Sequence, residues 1–131
     1  MPILQLRAHG TAPVEVAWER YADPACWAEW SPQIRAVATV ATRIAPGVRG
    51  TVVAPFGMRV PFEVLAVDEA ARTWRWRVRL GPAAIELDHA VRSENGQTLT
   101  TLDLSGPLSA VPLLLGYAPV AQFALRRLVT P

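Results

Sequence analysis

Few residues in this sequence have the types and spacing needed for chemistry. There are two histidines, His9 and His89, and a single cysteine, Cys26. No G-x-S-x-G elbow, phosphate-binding loop, dinucleotide fingerprint or H-E-x-x-H motif occurs. The histidines lie far apart with no spacing suited to a metal, so no metal site is expected. A covalent or metal-assisted hydrolase is close to excluded, and no cofactor is implied. What remains is proton transfer on a bound carbonyl compound, guided by shape and one or two polar groups. His89 could act there as general base or acid, since imidazole titrates near neutrality and partial burial would hold it neutral. Tyr117 or Arg59 could then serve as proton donor or enolate stabiliser.

The elements that must position His89 follow from strand parity. Residues 72–80 alternate strictly, with Trp74, Trp76, Val78 and Leu80 on one face and Arg75, Arg77 and Arg79 on the other. A turn at Gly81-Pro82 sets Arg77 against Glu86, Arg75 against Asp88 and Trp74 against His89. The Asn95-Gly96 pair, the strongest hairpin signal in the chain, sets His89 against Leu102, Val91 against Thr100 and Leu87 against Leu104. One inner row therefore reads Trp74, His89, Leu102, within an apolar wall that also holds Trp76 and Leu87. Two readings of His89 stay open. It is a core histidine bonded to a backbone carbonyl or to Thr100, or it faces a ligand.

The rest of the chain supplies one strand, two short helices, further strands and a long helix. Residues 3–9 read as a strand. Thr11-Ala12-Pro13 opens a helix whose apolar face is Val14, Ala17, Trp18 and Tyr21. Asp23 caps a second short helix carrying Trp27 and Trp30, and Ser31-Pro32 stops it. Strands are expected over 34–42, 51–54, 58–67, 72–80, 84–92 and 98–104, with turns at Pro46-Gly47 and Phe56-Gly57. Leu114, Ala118, Ala121, Leu125 and Leu128 repeat at helical spacing over 108–129, and Pro119 should kink or split that helix.

Several side chains have two readings. Trp30 lines a cavity mouth or fills core, and Tyr117 faces the cavity or snorkels outward. Phe123 reads as core and Cys26 as an inert thiol. Arg59 and Glu63 share a parity on a strand with apolar residues on both faces, so their side is unassigned.

Composition narrows the class further. The chain has 131 residues, 51% hydrophobic and 18% charged, which suits one domain spanning 1–131 with room for an internal cavity. A net charge of only +2, with every basic residue an Arg, does not predict nucleic-acid binding. The Trp and Arg of 72–80 lie on opposite faces, and the Arg face acids, which points to a solvated charge ladder. All-Arg usage with abundant Ala and Pro matches the codon bias of a GC-rich bacterial genome. One cysteine and no signal-peptide pattern fit a reducing, cytoplasmic location. Leu104–Leu125 runs 22 residues without charge and passes the length test for a membrane span. Its Pro, Gly and Gln residues favour a buried helix of a soluble domain, so no membrane partner is expected.

The segment Asp23-Pro24-Ala25-Cys26-Trp27-Ala28-Glu29-Trp30-Ser31-Pro32 resembles the D-P-x-x-W-x-x-W-x-P stretch of the polyketide cyclase/dehydrase proteins, members of the START-like (Bet v 1-like, SRPBCC) superfamily. The Arg/Trp strand at 72–80, Gly96-Gln97-Thr98 and Gly106-Pro107-Leu108 agree with it. The resemblance covers nearly the whole chain. It implies an α+β helix-grip fold: a curved seven-stranded antiparallel sheet, two short helices and a long C-terminal helix around an apolar cavity. It carries over no catalytic residue. Three functions follow as expectations. The first is binding of a hydrophobic, aromatic or polyketide-like small molecule by Trp30, Trp74, Trp76, Leu87, His89, Leu102 and Tyr117. The second is a polyketide aromatase/cyclase or dehydratase using His89 and Tyr117. The third is a protein-interaction role of the co-chaperone kind. The chain is expected to be a monomer or a homodimer.

Overall fold

The alternating Trp/Arg strand forms the centre of one seven-stranded antiparallel sheet. The computed structural model describes residues 2–131, so Met1, counted in the expected domain, lies outside the described residues. In chain order the elements are β1 (Leu4–Gly10), α1 (Val14–Ala22), a 3₁₀ turn (Pro24–Cys26), α2 (Trp27–Trp30), β2 (Ala36–Ala38) and β3 (Arg49–Val53). Then come β4 (Arg59–Asp68), β5 (Thr73–Leu80), β6 (Ala83–Glu94), β7 (Gln97–Ser105) and, after a 3₁₀ turn, α3 (Val111–Leu128). The sheet order is β1-β7-β6-β5-β4-β3-β2, a meander from β2 to β7 with β1 returning beside β7.

The expected registers hold. Trp74 lies opposite His89 and Arg77 opposite Glu86, and across the next pair His89 lies opposite Leu102 and Leu87 opposite Leu104. Short turns at Gly81 and Asn95-Gly96, with backbone in the left-handed region, leave little freedom to slip. On the outer face Arg75 pairs with Asp88 at 2.7 Å and Arg77 with Glu86 at 3.2 Å. Such half-exposed pairs contribute little stability, about 0–1 kcal/mol each.

The structure departs from sequence pattern in three elements. The strand expected over 34–42 shortens to Ala36–Ala38, because Ile34 N–H turns back to the Ser31 carbonyl and Ala41 N–H bonds the Thr39 hydroxyl. A bulge at Leu65 shifts the β4 register, so Phe62 and Val64 face inward before it while Val67 packs against the core beyond it. This is why β4 showed apolar residues on both parities; Arg59 is exposed and Glu63 pairs with Arg49 on the outer side. Finally, α3 runs unbroken through Pro119. The missing N–H leaves the Leu115 carbonyl unpaired within the helix, and both residues are exposed, where solvent can satisfy it.

Trp27 and Trp30, one turn apart, have a specific structural task. The last carbonyls of a helix lack partners within it. Here the Trp30 indole N–H donates to the Arg20 carbonyl at 2.9 Å, and the Trp27 indole to the Tyr21 carbonyl at 2.8 Å. The W-x-x-W spacing thus closes the end of α1 and buries both rings. Arg20 does the same for α3, its guanidinium donating to the carbonyls of Arg127, Leu128 and Thr130.

The chain end docks where β1 leaves the sheet. A Cβ added at Gly10 would fall on the carbonyl of Val129, the group that accepts from Ala12 N–H. Gly10→Ala is therefore expected to cost about 1–3 kcal/mol, the usual range for overpacking. Urea unfolding would measure it; a loss below about 0.5 kcal/mol, within the range of a neutral surface change, would show that the C-terminal segment shifts freely.

Candidate functional site

The inner face of the sheet, α2 and α3 enclose a cavity of about 260 Å³. Its wall is almost wholly apolar. Inward parity on β5, β6 and β7 supplies Trp76, Leu87, His89 and Leu102, and α3 supplies Tyr117, Ala121 and Leu125. Met58 and Leu113 line it yet are 58% and 52% exposed, which marks the opening beside the β3–β4 turn and the start of α3.

Of the residues expected to bind ligand, Trp30, Trp76, Leu87, His89, Leu102 and Tyr117 line this cavity, and Trp74 does not. Trp74 stands behind the wall, stacked on His89 with ring centroids 4.8 Å apart and on Trp27 at 5.6 Å. Strand parity assigned its face correctly, but the helical layer fills the space in front of it. Arg59 is exposed and is not among the lining residues. Phe123, expected in the core, is 52% exposed, on the outer side of α3, with the Arg127 guanidinium 6.0 Å from its ring. Cys26 is half-buried; burial, and then the carboxylates Asp23 and Glu29, push its thiol up and away from reactivity.

His89 is 4% exposed and lies among Tyr21, Trp74 and Trp76. Its partner is neither a backbone carbonyl nor Thr100. The Trp76 indole N–H donates to His89 Nε2 at 3.1 Å. Thr100 is engaged elsewhere: its hydroxyl donates to the Ala90 carbonyl at 3.0 Å and so accepts from the Tyr21 hydroxyl at 2.6 Å. Burial drives the His89 imidazole down to about 3, so the ring is neutral at physiological pH.

A second polar group sits where α3 meets the loop after α2. Gln33 Nε2 donates to the Tyr117 hydroxyl oxygen at 2.6 Å, which leaves the phenolic hydrogen free. Burial raises the Tyr117 phenol, with the Gln33 bond opposing, so it stays protonated. Gln33 Oε1 and Ser31 Oγ are buried and unpartnered, and both residues line the cavity. Sequence reasoning missed this pair: they follow the helix stop at Ser31-Pro32, where no periodicity indicates side-chain direction.

The residues 108–128 are long and apolar enough to cross a membrane by length and composition, with a mean hydropathy of 1.6 over their most apolar 18-residue stretch. In the fold this helix packs through Leu114, Ala121, Ala124, Leu125 and Leu128, and exposes Leu113, Leu115, Val120 and Phe123.

A long C-terminal helix packed on a seven-stranded antiparallel sheet around an apolar cavity is the Bet v 1-like fold. The family model "Polyketide cyclase / dehydrase and lipid transport" matches residues 1–130, and the chain belongs to that family. No curated protein matches the sequence. Among solved structures, the chain is similar to protein Ms6760 from Mycobacterium smegmatis: 21% identity and a TM-score of 0.72, over 95% of this chain and 86% of that one. It is similar to the major latex-like protein 151 of Panax ginseng at 16% identity and a TM-score of 0.75, over 95% and 92%. It also resembles DynU16, a putative protein in the dynemicin biosynthetic locus, at 22% identity and a TM-score of 0.71, over 93% of this chain and 45% of that one. At these identities the likeness establishes the fold alone.

Proposed function

We propose that the chain binds a hydrophobic, aromatic or polyketide-like small molecule inside the sheet–helix cavity. One observation carries this reading: an almost wholly apolar space whose few polar lining residues include His89, Ser31, Gln33 and Tyr117. Small-molecule sites have this character, an apolar body with a few placed polar groups. Membership of a family described by cyclisation, dehydration and lipid transport supports it. A catalytic reading of the same cavity is supported by that membership and by the Tyr117 hydroxyl. In that reading the binding site is the active site and Tyr117 is the proton donor, beside a neutral His89 whose Nε2 is occupied by Trp76. The ion-paired arginines on the outer face support the expectation of no nucleic-acid partner.

Native mass spectrometry of the purified chain tests the binding reading directly. The expected result is a co-purified mass released on denaturation. Ala121 is buried and lines the cavity. Ala121→Phe should therefore fill the space and lower affinity for any such ligand by at least tenfold, with the fold retained by circular dichroism. No adduct, and no thermal shift with either flavanone or anthrone, would overturn it.

A further inference from the structure

We infer that the end of the sheet carrying the cavity opening docks on the surface of an anionic lipid bilayer. Phe56 and Leu108 enter the lipid there, and Arg35, Arg59 and Arg79 meet the headgroup phosphates. The inference goes beyond the binding reading above and does not depend on it.

The meander brings these residues together. Val53 lies opposite Arg59, Leu80 opposite Ala83 and Glu86 opposite Ser105, and the Arg35 N–H donates to the Val53 carbonyl at 2.7 Å. The turns at 54–58 and 81–82 and the connection 106–110 into α3 therefore share one end of the sheet. The opening at Met58 and Leu113 lies there. Beside it Phe56 is wholly exposed and Leu108 is 86% exposed. Phe56 is also held at φ 65° and ψ 21°, in the left-handed region that a bulky side chain disfavours. Packing does not offset that strain, because the ring lies in solvent. Strained backbone concentrates at functional positions, and clustered exposed apolar groups mark contact surfaces.

Charge selects what covers the patch. Of the 13 basic residues, all arginine, most hold a carboxylate, and Arg20 and Arg127 hold backbone carbonyls. Among the described residues Arg35, Arg59, Arg79 and Arg126 hold neither, and the first three belong to this end. The segments that build it, 30–62, 70–85 and 104–131, contain no Asp or Glu. The next acids along the strands, Glu63 and Glu86, are paired with Arg49 and Arg77, and Asp103 lies further in, opposite Asp88. The surface is thus apolar and cationic together. That composition suits an anionic bilayer, where apolar groups enter the acyl boundary and basic groups meet the headgroups. A second copy related by two-fold symmetry would bring the same arginines face to face. A nucleic acid offers phosphates but no hydrocarbon for Met58, Leu108 and Leu113. The buried stripe of α3 keeps that helix on the sheet, so the contact is with the membrane surface. It replaces the expectation of no membrane partner, which rested on excluding a span.

Co-sedimentation at low salt with vesicles of phosphatidylcholine, with and without phosphatidylglycerol, tests this. The wild type is expected to bind the mixed vesicles, to bind the neutral ones far more weakly, and to be released by salt. Arg59→Gln should lower affinity for the mixed vesicles about fivefold, the share of one basic residue near such a surface. Arg126→Gln, about 22 Å along α3 from its first residue, should lower it by less than about twofold. Phe56→Asn places a side chain that tolerates the left-handed region, so the fold is kept. It should lower affinity about tenfold through the lost apolar insertion. Equal losses for Arg59→Gln and Arg126→Gln would reduce the effect to net charge and overturn the inference, as would unchanged binding by Phe56→Asn. No binding of the wild type to the mixed vesicles, or retention of single-stranded DNA in their place, would overturn it as well. A co-purified cavity ligand seen by native mass spectrometry would stand in either case.

Discussion

Trp27→Ala is expected to leave the chain largely unfolded. Trp27 is 1% exposed and its ring contacts Phe62, Trp74 and Trp76 at centroid distances of 5.0–5.6 Å. Truncating a buried Trp costs about 3–5 kcal/mol in lost transfer energy and cavity. The Tyr21 carbonyl also loses the indole N–H, and an orphaned buried acceptor costs about 1–3 kcal/mol more. A domain of this size holds only about 5–15 kcal/mol in total. Trp27→Phe keeps most of the ring and loses the N–H, so it should fall between wild type and alanine. Urea unfolding of the three proteins measures this. A loss below about 2 kcal/mol for the alanine variant, short of the core-truncation range, would mean that the helical layer does not depend on this indole.

Mild acid is expected to destabilise the fold through His89 well before its carboxylates are lost. The folded-state value of His89 is about 3 against an ordinary 6.5, so between these limits the unfolded chain binds the extra proton. Stability therefore falls as pH falls through that window, at about 1.4 kcal/mol per pH unit well below 6.5. The accumulated loss at pH 4.5 is about 3 kcal/mol. Glu69, held down by its bonds to Arg43 and Trp18, and Glu94, held down by His9 and Arg92, stabilise the fold above their ordinary carboxylate range. They lose that contribution only as pH drops below about 4.5. Unfolding free energies measured between pH 6.5 and 5 thus lie above the carboxylate range, and the His89 variant separates its share from that of His9, which pairs with Glu94. His89→Gln should remove most of the slope there whatever its absolute stability; the wild-type slope persisting in that variant would assign the effect elsewhere.

Both predictions concern one aromatic cluster, and its parts were unequally legible in the sequence. The Gly81 and Asn95-Gly96 turns set register, register sets parity, and parity placed Trp76, Leu87, His89 and Leu102 on one wall. Parity says which way a side chain points and nothing of what stands in front of it. Trp74 shares that face but is covered by Trp27 and Tyr21, which come from elements distant in sequence. The partner of His89 is likewise a diagonal neighbour, Trp76, which matching the residues directly opposite cannot reveal. In α3 the heptad-like spacing identified the inner stripe. Phe123 was misread because a helix apolar on every side does not indicate which of its residues meet solvent.

The sequence by itself determined the order of elements and the registers of the two hairpins on either side of residues 84–92. All of these rest on local rules: turn residues, a period of two and a period of three to four. Tertiary structure alone decided that a cavity remains, that Ser31 and Gln33 join Tyr117 at its wall, and that the Trp76 indole occupies His89 Nε2. Those depend on how separate elements fill or fail to fill a shared volume, and on a single 3.1 Å bond across strands. The few residues able to do chemistry were visible from the start, and packing gave His89 Nε2 an indole partner.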